Sequence, residues 1–490
     1  MSASTPLTAP DARHLLRRTG FGATVLQTDR LLDSFATRGG AVDSLLDFKP
    51  SKFKPGGRYV EDIHNKWVRY MIKTKLPLQE KLVLFWHDHF ATSFDKVGDV
   101  TRMALQNRLL RGNCRGNFKT FVKAINKNAA MMEFLDTVRN RAAEPNENYS
   151  REVQELFTLG VKDPLGNDNY TQEDIVQIAR AFSGWDYDDK DVAEFLDYRH
   201  DYAADYPERG PKVIFKTRGN FGNPGGQSFT TAGEGAAEID TVTDIIFAHR
   251  YGPGNRHTVA DYIGRKLVSY FAHPNPSTAF VNAVVDASGF ASTWELTPLL
   301  KEIFVHDGFY LSAAPPAAGS RKSVKWPVDF LVTTLRLLNV RLRSKYQYIE
   351  GGSYQGAREM LTNMGQILFE PPSVFGWDWE TAWLSSSTLL ARYGFGRDIA
   401  GAREGGGTSF RPERLFALGE TNPGAIVDAV TTLLGVDDQI SGAERSALIL
   451  YLTDGAGPGA SVDLSDDQVR FRKLGGLVAT VLQSPIYQLH

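Results

Sequence analysis

The chain contains a single cysteine, Cys114, among its 490 residues. A disulfide within the chain needs two cysteines, and zinc or iron–sulfur sites built from cysteine need several, so the sequence excludes both kinds of site. Lone cysteines usually serve as packing residues, and we assign Cys114 no functional role.

Long apolar runs are also missing. Nowhere do 18 consecutive apolar residues occur, and the first twenty residues lack the apolar stretch of a signal peptide. We therefore predict no membrane-spanning helix, and a cytoplasmic protein is the simplest expectation. An exported protein whose leader had been removed would show the same sequence.

A strong charge of either sign is absent as well. Lysine and arginine number 55 and aspartate and glutamate 57, which gives a formal net charge of -2. This balance excludes a bulk attraction to nucleic acid, and we expect no nucleic-acid partner. Glycine-rich nucleotide loops, nucleophile elbows and HExxH zinc helices do not occur either, which removes several common enzyme classes.

Helical periodicity is the main signal that remains. Leu78, Leu82, Phe85 and His89 recur with helical spacing after Pro77. Many segments share this pattern and few alternate as strands do, so we predict a mainly α fold. We expect a large multi-helix domain with a small β-hairpin or loop insert and a C-terminal helical segment.

Changes in composition divide this fold into four regions. Residues 1–185 form an N-terminal helical region, and residues 186–235, rich in Asp, Tyr and Gly, form an irregular insert in which we expect most strands. Residues 236–400 form a second helical region that ends in a motif of two prolines and several tryptophans. Residues 401–490 form a glycine-rich linker and a C-terminal helical segment.

The most informative stretch is residues 146–160, a helical segment that is polar where it should be apolar. Tyr149, Val153 and Phe157 share one arc of the helix, Glu152 falls inside that arc and Glu155 lies at its edge. A carboxylate that faces a protein core must be protonated, paired with a cation, bound to a metal or directed into a wet cleft.

Two carboxylates this close can separate their pKa values, so that one holds a proton while the other stays charged. The same spacing could hold a divalent cation, although the sequence leaves the metal ligands undefined. A structural ion pair between Glu152 and a buried arginine is an equally good explanation. We expect Glu152, Glu155 and Asn148 to line an internal polar site with a group from another segment: His89, Asp136 or Arg17.

His87, Asp88 and His89 form a second motif. Residues two apart point in nearly opposite directions on a helix, so the two histidines cannot share one ion there. Only His89 lies on the apolar stripe, and we expect His87 to face solvent. A buried histidine that is simply hydrogen-bonded is somewhat more common than a proton relay.

Two further groups could bind a ligand. His200 lies in the irregular insert, and Trp377 and Trp383 follow Pro371-Pro372. Rigid tryptophans on a loop could stack against sugars or other planar groups. Tryptophans more often fill protein cores, which favours packing for at least some of them.

These motifs together resemble the bacterial family catalogued as domain of unknown function number 1800. The resemblance rests on Arg17-Arg18-Thr19-Gly20-Phe21-Gly22, on residues 85–92, 135–136 and 146–160, on Tyr170-Thr171 with Asp174, on residues 371–377 and on Ser484-Pro485. It implies a large, mostly helical protein, often exported and often encoded beside a sulfatase-like or phosphatase-like partner. The missing leader departs from the exported members.

Two hypotheses follow. The first is a hydrolase or lyase acting on a carbohydrate or cell-envelope polymer, with Glu152 as acid or base, Glu155 as its charged partner and His89 as relay. A metal-assisted version of this chemistry is also open. The substrate contacts would come from Asn146, Asn148, Arg151, His200, Trp377 and Trp383. The alternative is a non-catalytic binding or accessory protein whose polar motifs form a structural ion network. An enzyme needs these groups in one cleft, whereas a scaffold buries them separately.

Overall fold

The computed structural model describes residues 2–202, 205–221, 227–229, 235–311, 322–340, 342, 347–349, 353–355, 357–401, 416–417 and 419–490. Helices dominate these residues and strands occur only in small two-stranded sheets, so the prediction of a mainly α fold is confirmed. The predicted linker lies mostly outside the described residues, and the division into four regions stays a prediction.

The first half of the chain contributes the helices that surround the two motifs. They are α1 (Ala9–Thr19), α2 (Val25–Ser34), α3 (Arg38–Leu46), α4 (Val60–Lys73), α5 (Pro77–His89), α6 (Phe94–Val97), α7 (Val100–Asn113), α8 (Phe118–Asn126), α9 (Ala129–Phe134), α10 (Asn148–Glu155), α11 (Gln172–Ala181) and α12 (Glu238–Ala248).

The second half continues the helical packing to the C-terminal segment. Its helices are α13 (Thr258–Phe271), α14 (Thr278–Ser288), α15 (Phe290–Thr293), α16 (Leu296–Val305), α17 (Asp307–Tyr310), α18 (Pro327–Leu337), α19 (Ala357–Asn363), α20 (Ser386–Gly401), α21 (Pro423–Leu433), α22 (Gly442–Leu452), α23 (Asp467–Val469), α24 (Gly475–Gln483) and α25 (Pro485–Gln488).

The strands form four antiparallel pairs. They are β1 (Trp185–Tyr187) with β2 (Ala193–Phe195), β3 (Lys212–Ile214) with β4 (Gln227–Phe229), β5 (Arg250–Tyr251) with β6 (Arg256–His257), and β7 (Gln347–Ile349) with β8 (Ser353–Gln355). The first two pairs lie at the predicted insert and the last two lie outside it. The expectation that strands concentrate in the insert is therefore only half met, because two of the four described hairpins lie in the second helical region.

Helix α5 is buried along almost its whole length, although its sequence is not uniformly apolar. Glu80 and Lys81 are 0% and 3% exposed. Glu80 accepts hydrogen bonds from the Trp67 indole (2.8 Å) and from the Arg111 guanidinium (3.0 Å). The Lys81 ammonium forms an ion pair with Asp329 of α18 (2.5 Å). Glu80 and Lys81 therefore connect α5 to different helices.

No helix in the described part of the chain combines the length and the apolar character that crossing a membrane requires.

The pairing of Glu80 predicts a large loss of stability when its partner is removed. Replacing Arg111 by Met leaves Glu80 as an uncompensated buried charge, which should lower the free energy of unfolding by about 3–5 kcal/mol. Urea denaturation measures this change. The control is Arg445→Met, which removes an ion pair with Asp428 at the surface and should cost at most about 1 kcal/mol. Equal effects of both substitutions would show that the pairing of Glu80 is unimportant.

Candidate functional site

A turn held by asparagine side chains leads into α10, the carboxylate helix. The backbone N–H of Asn146 donates to Asn140 Oδ1 (2.9 Å), and the Asn146 carboxamide accepts from the N–H of Asn148 (2.9 Å). The Asn148 side chain donates to Asp136 Oδ2 (2.8 Å). Asp136 also pairs with Lys96 (2.7 Å). Asn146 and Asn148 therefore fix the start of the helix, and Asp136 is the group from another segment that Asn148 contacts.

Arg151 lies on the outer face of α10. Its guanidinium donates to Glu147 (3.1 Å) and to the Gln172 carboxamide (3.2 Å), and Gln172 in turn donates to Glu147 (2.7 Å). These contacts connect α10 to the first turn of α11. Arg151 therefore forms its ion pair with Glu147, not with Glu152.

Glu152 is half-buried, and its Oε2 atom is inaccessible to solvent and has no hydrogen-bond partner among the described residues. Burial and the negative charge of Glu155 raise the pKa of Glu152 to about 7, and the nearby Arg151 opposes this shift. Glu152 therefore exchanges a proton close to neutral pH.

The isolation of Glu152 distinguishes it from other carboxylates. In the described residues, four carboxyl groups have a buried oxygen that no donor contacts: Glu152, Asp240, Asp329 and Glu370. The last three each form an ion pair through their other oxygen, with Lys127 (2.8 Å), Lys81 (2.5 Å) and Arg358 (2.6 Å) respectively. Glu152 forms no ion pair with any described residue, so the pairing with a buried arginine that the sequence allowed is not seen among these residues.

Glu155 is held one helical turn from Glu152. Its Oε2 accepts a hydrogen bond from the Tyr170 hydroxyl (3.0 Å). Burial and the Glu155 carboxylate raise the pKa of Tyr170, which keeps this hydroxyl a donor. The Tyr262 hydroxyl, from α13, donates to the carbonyl of Leu156 (3.0 Å). Two tyrosines from separate segments thus fix the C-terminal end of α10.

His89 lies beneath this end of α10. Its Nε2 contacts the carbonyl oxygen of Phe157 (3.2 Å), and a carbonyl can only accept, so Nε2 carries the proton. Burial lowers the pKa of His89 well below its ordinary value, and the positive charge of Lys266 adds to this effect. His89 is therefore neutral, and it positions α10 through the chain that follows Glu155.

His87 is buried (1% exposed), so the prediction that it faces solvent is wrong. Its Nε2 accepts the backbone N–H of Phe369 (2.9 Å), and its ring lies 5.4 Å from the ring of Trp377. Burial lowers the pKa of His87 to about 3, which keeps the nitrogen free to accept. Helical periodicity could not show that a distant loop covers the second face of α5.

Asp88 connects α5 to the tryptophan motif. Its carboxylate accepts from the backbone N–H of Trp377 (2.8 Å) and from the Trp379 indole (3.2 Å). Gly376 packs so closely that a Cβ atom there would lie 2.3 Å from Asp88 Oδ1. Burial raises the pKa of Asp88 to about 6, against the positive charge of Lys266 and the two hydrogen bonds.

The rings of Trp377 and Trp383 are each 4% exposed. Trp377 packs on His87, and Trp383 packs on Trp326 at 5.8 Å between ring centroids. Neither ring offers an open face for a sugar to stack on. This placement favours the packing interpretation of the tryptophan motif.

His200 belongs to a separate buried cluster. Its Nδ1 donates to the carbonyl of Ser183 (2.8 Å), and Lys212 donates to its Nε2 (3.3 Å). Lys212 also pairs with Glu238 (2.5 Å). Arg17, named as another group that could approach Glu152, instead forms an ion pair with Asp438 (2.9 Å). The structure therefore brings neither His200 nor Arg17 to the carboxylate helix.

Lys266 and Tyr262 were not predicted from the sequence. They lie four residues apart on α13, with the Lys266 ammonium 5.6 Å from the centre of the Tyr262 ring. Burial lowers the pKa of Lys266, and the charge of Asp88 opposes this shift. The contact of α13 with the end of α10 depends on tertiary packing, which the spacing of residues along the sequence does not reveal.

Within the described ranges, no group of three or more His, Cys, Asp or Glu side chains is arranged to hold a metal ion. For a metal site, the pair Glu152 and Glu155 remains the candidate that the sequence offered.

The chain matches the family model described as a protein of unknown function, DUF1800, over residues 14–489. The chain belongs to the DUF1800 family. The match covers nearly the whole chain, so the resemblance inferred from its motifs is confirmed. No curated protein and no solved structure matches it significantly.

In this DUF1800 protein, the titration of Glu152 makes stability depend on pH. The carboxyl has a pKa of about 7 in the folded state, against 4.5 without the fold. The folded state therefore binds the proton more tightly, and Glu152 makes the protein less stable as pH rises through this window. Glu152→Gln removes the titration. The variant should be more stable than the wild type above pH about 7, and this advantage should shrink as pH falls toward 4.5.

Urea denaturation at several pH values measures the difference in the free energy of unfolding. Glu144→Gln is the matched control, because Glu144 is exposed on the segment just before α10. A Glu152→Gln advantage that is independent of pH, or a loss of stability at every pH, would contradict the assigned environment.

Proposed function

We propose that this protein is an enzyme that uses Glu152 as a general acid or base, with Glu155 as the charged group that raises its pKa. The observation that carries the proposal is the half-buried Glu152 carboxyl, whose buried oxygen has no partner among the described residues. Burial and the charge of Glu155 raise its pKa to about 7. General acids and bases work best when their pKa lies near the working pH, and such shifts cluster at functional sites.

Glu155 contributes a negative charge beside Glu152 and is held in a fixed position. It adds negative charge beside Glu152 and is itself fixed by Tyr170 (3.0 Å). When Glu152 holds its proton, Glu155 remains as the negative charge that can stabilise a developing positive charge on a substrate. His89 acts as a positioning residue, because its ring is neutral and holds the Phe157 carbonyl.

A polar cleft lies beside the segment that follows α10, and neither Glu152 nor Glu155 is among the residues that line it. It has a volume of about 440 Å³ and is lined by amide, carboxylate and guanidinium groups, among them Asn167, Asp168, Arg218 and Asn220. Asn169 also lines it and donates to the carbonyls of Leu159 and Gly160 (3.0 Å each), which connects the cleft to the helix end. Such groups bind sugar hydroxyls, so we assign the enzyme to hydrolysis or lysis of a carbohydrate or cell-envelope polymer.

A second candidate function is a non-catalytic binding or accessory role. The observation in its favour is that His89, His200, Trp377 and Trp383 are buried in separate contacts. A sulfatase-like protein, the partner that the family resemblance implies, is the partner we propose for that role.

Glu152→Gln separates the two functions. The wild-type protein is incubated with peptidoglycan and with purified cell-envelope polysaccharides, and new reducing ends report hydrolysis while new unsaturated ends report lysis. For an enzyme, Glu152→Gln should lower kcat by roughly a hundredfold or more, the scale of losing a positioned acid or base. Glu144→Gln should retain full activity.

Glu155→Gln supplies a second test on the same substrate. It keeps an acceptor for Tyr170 but removes the charge that raises the pKa of Glu152. The pH profile of kcat should therefore move to lower pH while the fold is kept. An active protein that is indifferent to both substitutions would overturn the acid–base assignment, and an inactive protein that loses stability with Glu152→Gln would favour the accessory role.

A further inference from the structure

A small cavity lies far along the chain from the carboxylate helix, where α1 and α18 meet the C-terminal segment. It has about 10 Å³ of room for the centre of a water-sized sphere. Its walls combine the polar side chains of Arg17, Lys325, Thr333, Gln439 and His490 with aliphatic side chains from α18 and the C-terminal segment. Arg17 and Lys325, two basic side chains, therefore share the lining of a cavity that holds about one small particle.

Arg17 is only partly satisfied. Its two terminal nitrogens contact both oxygens of Asp438 (2.9 and 3.0 Å) and the carbonyl of Gly435 (2.9 Å). The Nε atom is buried and has no hydrogen-bond partner among the described residues. The side chain is 8% exposed, so water at the surface does not compensate Nε.

Lys325 has no carboxylate partner among the described residues. Its ammonium donates to the carbonyl of Tyr487 (2.6 Å) and lies 4.0 Å from the centre of that tyrosine ring. Burial and repulsion from Arg17 lower the pKa of Lys325 to about 7, although Asp329 opposes this shift. Asp329 itself pairs with Lys81 (2.5 Å) and is approached by His490 (3.3 Å).

The surroundings add further positive charge. Lys322 donates to the Gln439 carboxamide, and Arg392 donates to the Gln488 carboxamide (3.1 Å) and to the Lys325 carbonyl (2.8 Å). Neither cation forms an ion pair with a described residue. Once Arg17 is paired with Asp438 and Lys81 with Asp329, the region keeps an excess of buried positive charge. Burying such charge without a counter-ion costs free energy.

We propose that this cavity binds one monatomic inorganic anion, of the size of a halide, between Arg17 and Lys325. Charge favours an anion, because Arg17 Nε–H is a buried donor without a partner among the described residues and the basic Lys325 side chain lines the same cavity. Size selects a single atom, because the cavity holds about one water-sized particle. A sulfate or phosphate, with its four oxygen atoms around the centre, does not fit this space.

The anion would act as a structural ligand. The cavity joins the end of α1 to α18 and to the last residues of the chain, so an ion there connects segments distant in sequence. An ion that binds only the folded state stabilises it according to its concentration. The proposal does not depend on the acid–base function of Glu152.

Diffraction from crystals of the full chain grown or soaked in sodium bromide tests the site directly. We expect an anomalous bromine peak inside the cavity, within contact of Arg17 Nε and Lys325 Nζ. A water molecule alone in the cavity, in crystals that carry bromide at other positions, would overturn the proposal. This experiment uses the wild-type protein and does not depend on how a variant folds.

Thermal unfolding supplies the solution test. At equal ionic strength, the midpoint should rise with sodium bromide and approach a plateau, whereas sodium gluconate, whose anion is too large, should give no such rise. Lys325→Met keeps an unbranched side chain, removes the charge and should abolish the difference between the two salts. Lys75→Met, at an exposed position, should preserve it. Equal responses of the wild type to both salts, or a bromide response retained in Lys325→Met, would contradict the site.

Discussion

The structure depends on one constraint, that polar groups buried in a helical core must be paired. Helix α5 shows it most clearly, because its polar residues are as buried as its apolar ones. Lys81 pairs with α18, and His87 and Asp88 accept backbone N–H groups of Phe369 and Trp377. A polar group with one partner specifies which segment lies beside it, whereas apolar contacts alone specify position less strictly. The His-Asp-His motif therefore fixes the position of the loop that packs on α5.

Among the carboxylates with a buried, unpartnered oxygen in the described residues, Glu152 alone has no ion pair, and this isolation is why we assign it a chemical role. Its neighbours on α10 are engaged: Asn148 by Asp136, Arg151 by Glu147 and Glu155 by Tyr170. Their contacts hold the helix so that one carboxyl stays unpaired and half-buried. A group kept in such a position costs stability, which proteins commonly accept at functional sites. The contacts that hold α10 in place are thus also the contacts that leave Glu152 unpaired.

The mainly helical character of the fold followed from periodicity. The apolar spacing predicted a helix beginning just after Pro77, and α5 spans Pro77–His89. Thr171 caps α11 together with Asp174. The burial of His87 could not be predicted, because its cover comes from a loop almost three hundred residues away. Glu152 was found because a carboxylate on an apolar arc is costly in any fold. Lys266 has no such local signal, and its place beside Asp88 and His89 depends on how α13 packs.

The central claim concerns the protonation of one carboxyl group, and carbon-13 NMR of the glutamate side-chain carboxyls measures it directly. The resonance of Glu152 is assigned by its loss in Glu152→Gln, and its shift is followed across pH in the wild-type protein. The account predicts a midpoint near pH 7, well above the 4.5 of an unperturbed glutamate. A midpoint close to 4.5 would show that Glu152 is hydrated or paired, and would contradict the claim that the fold isolates it.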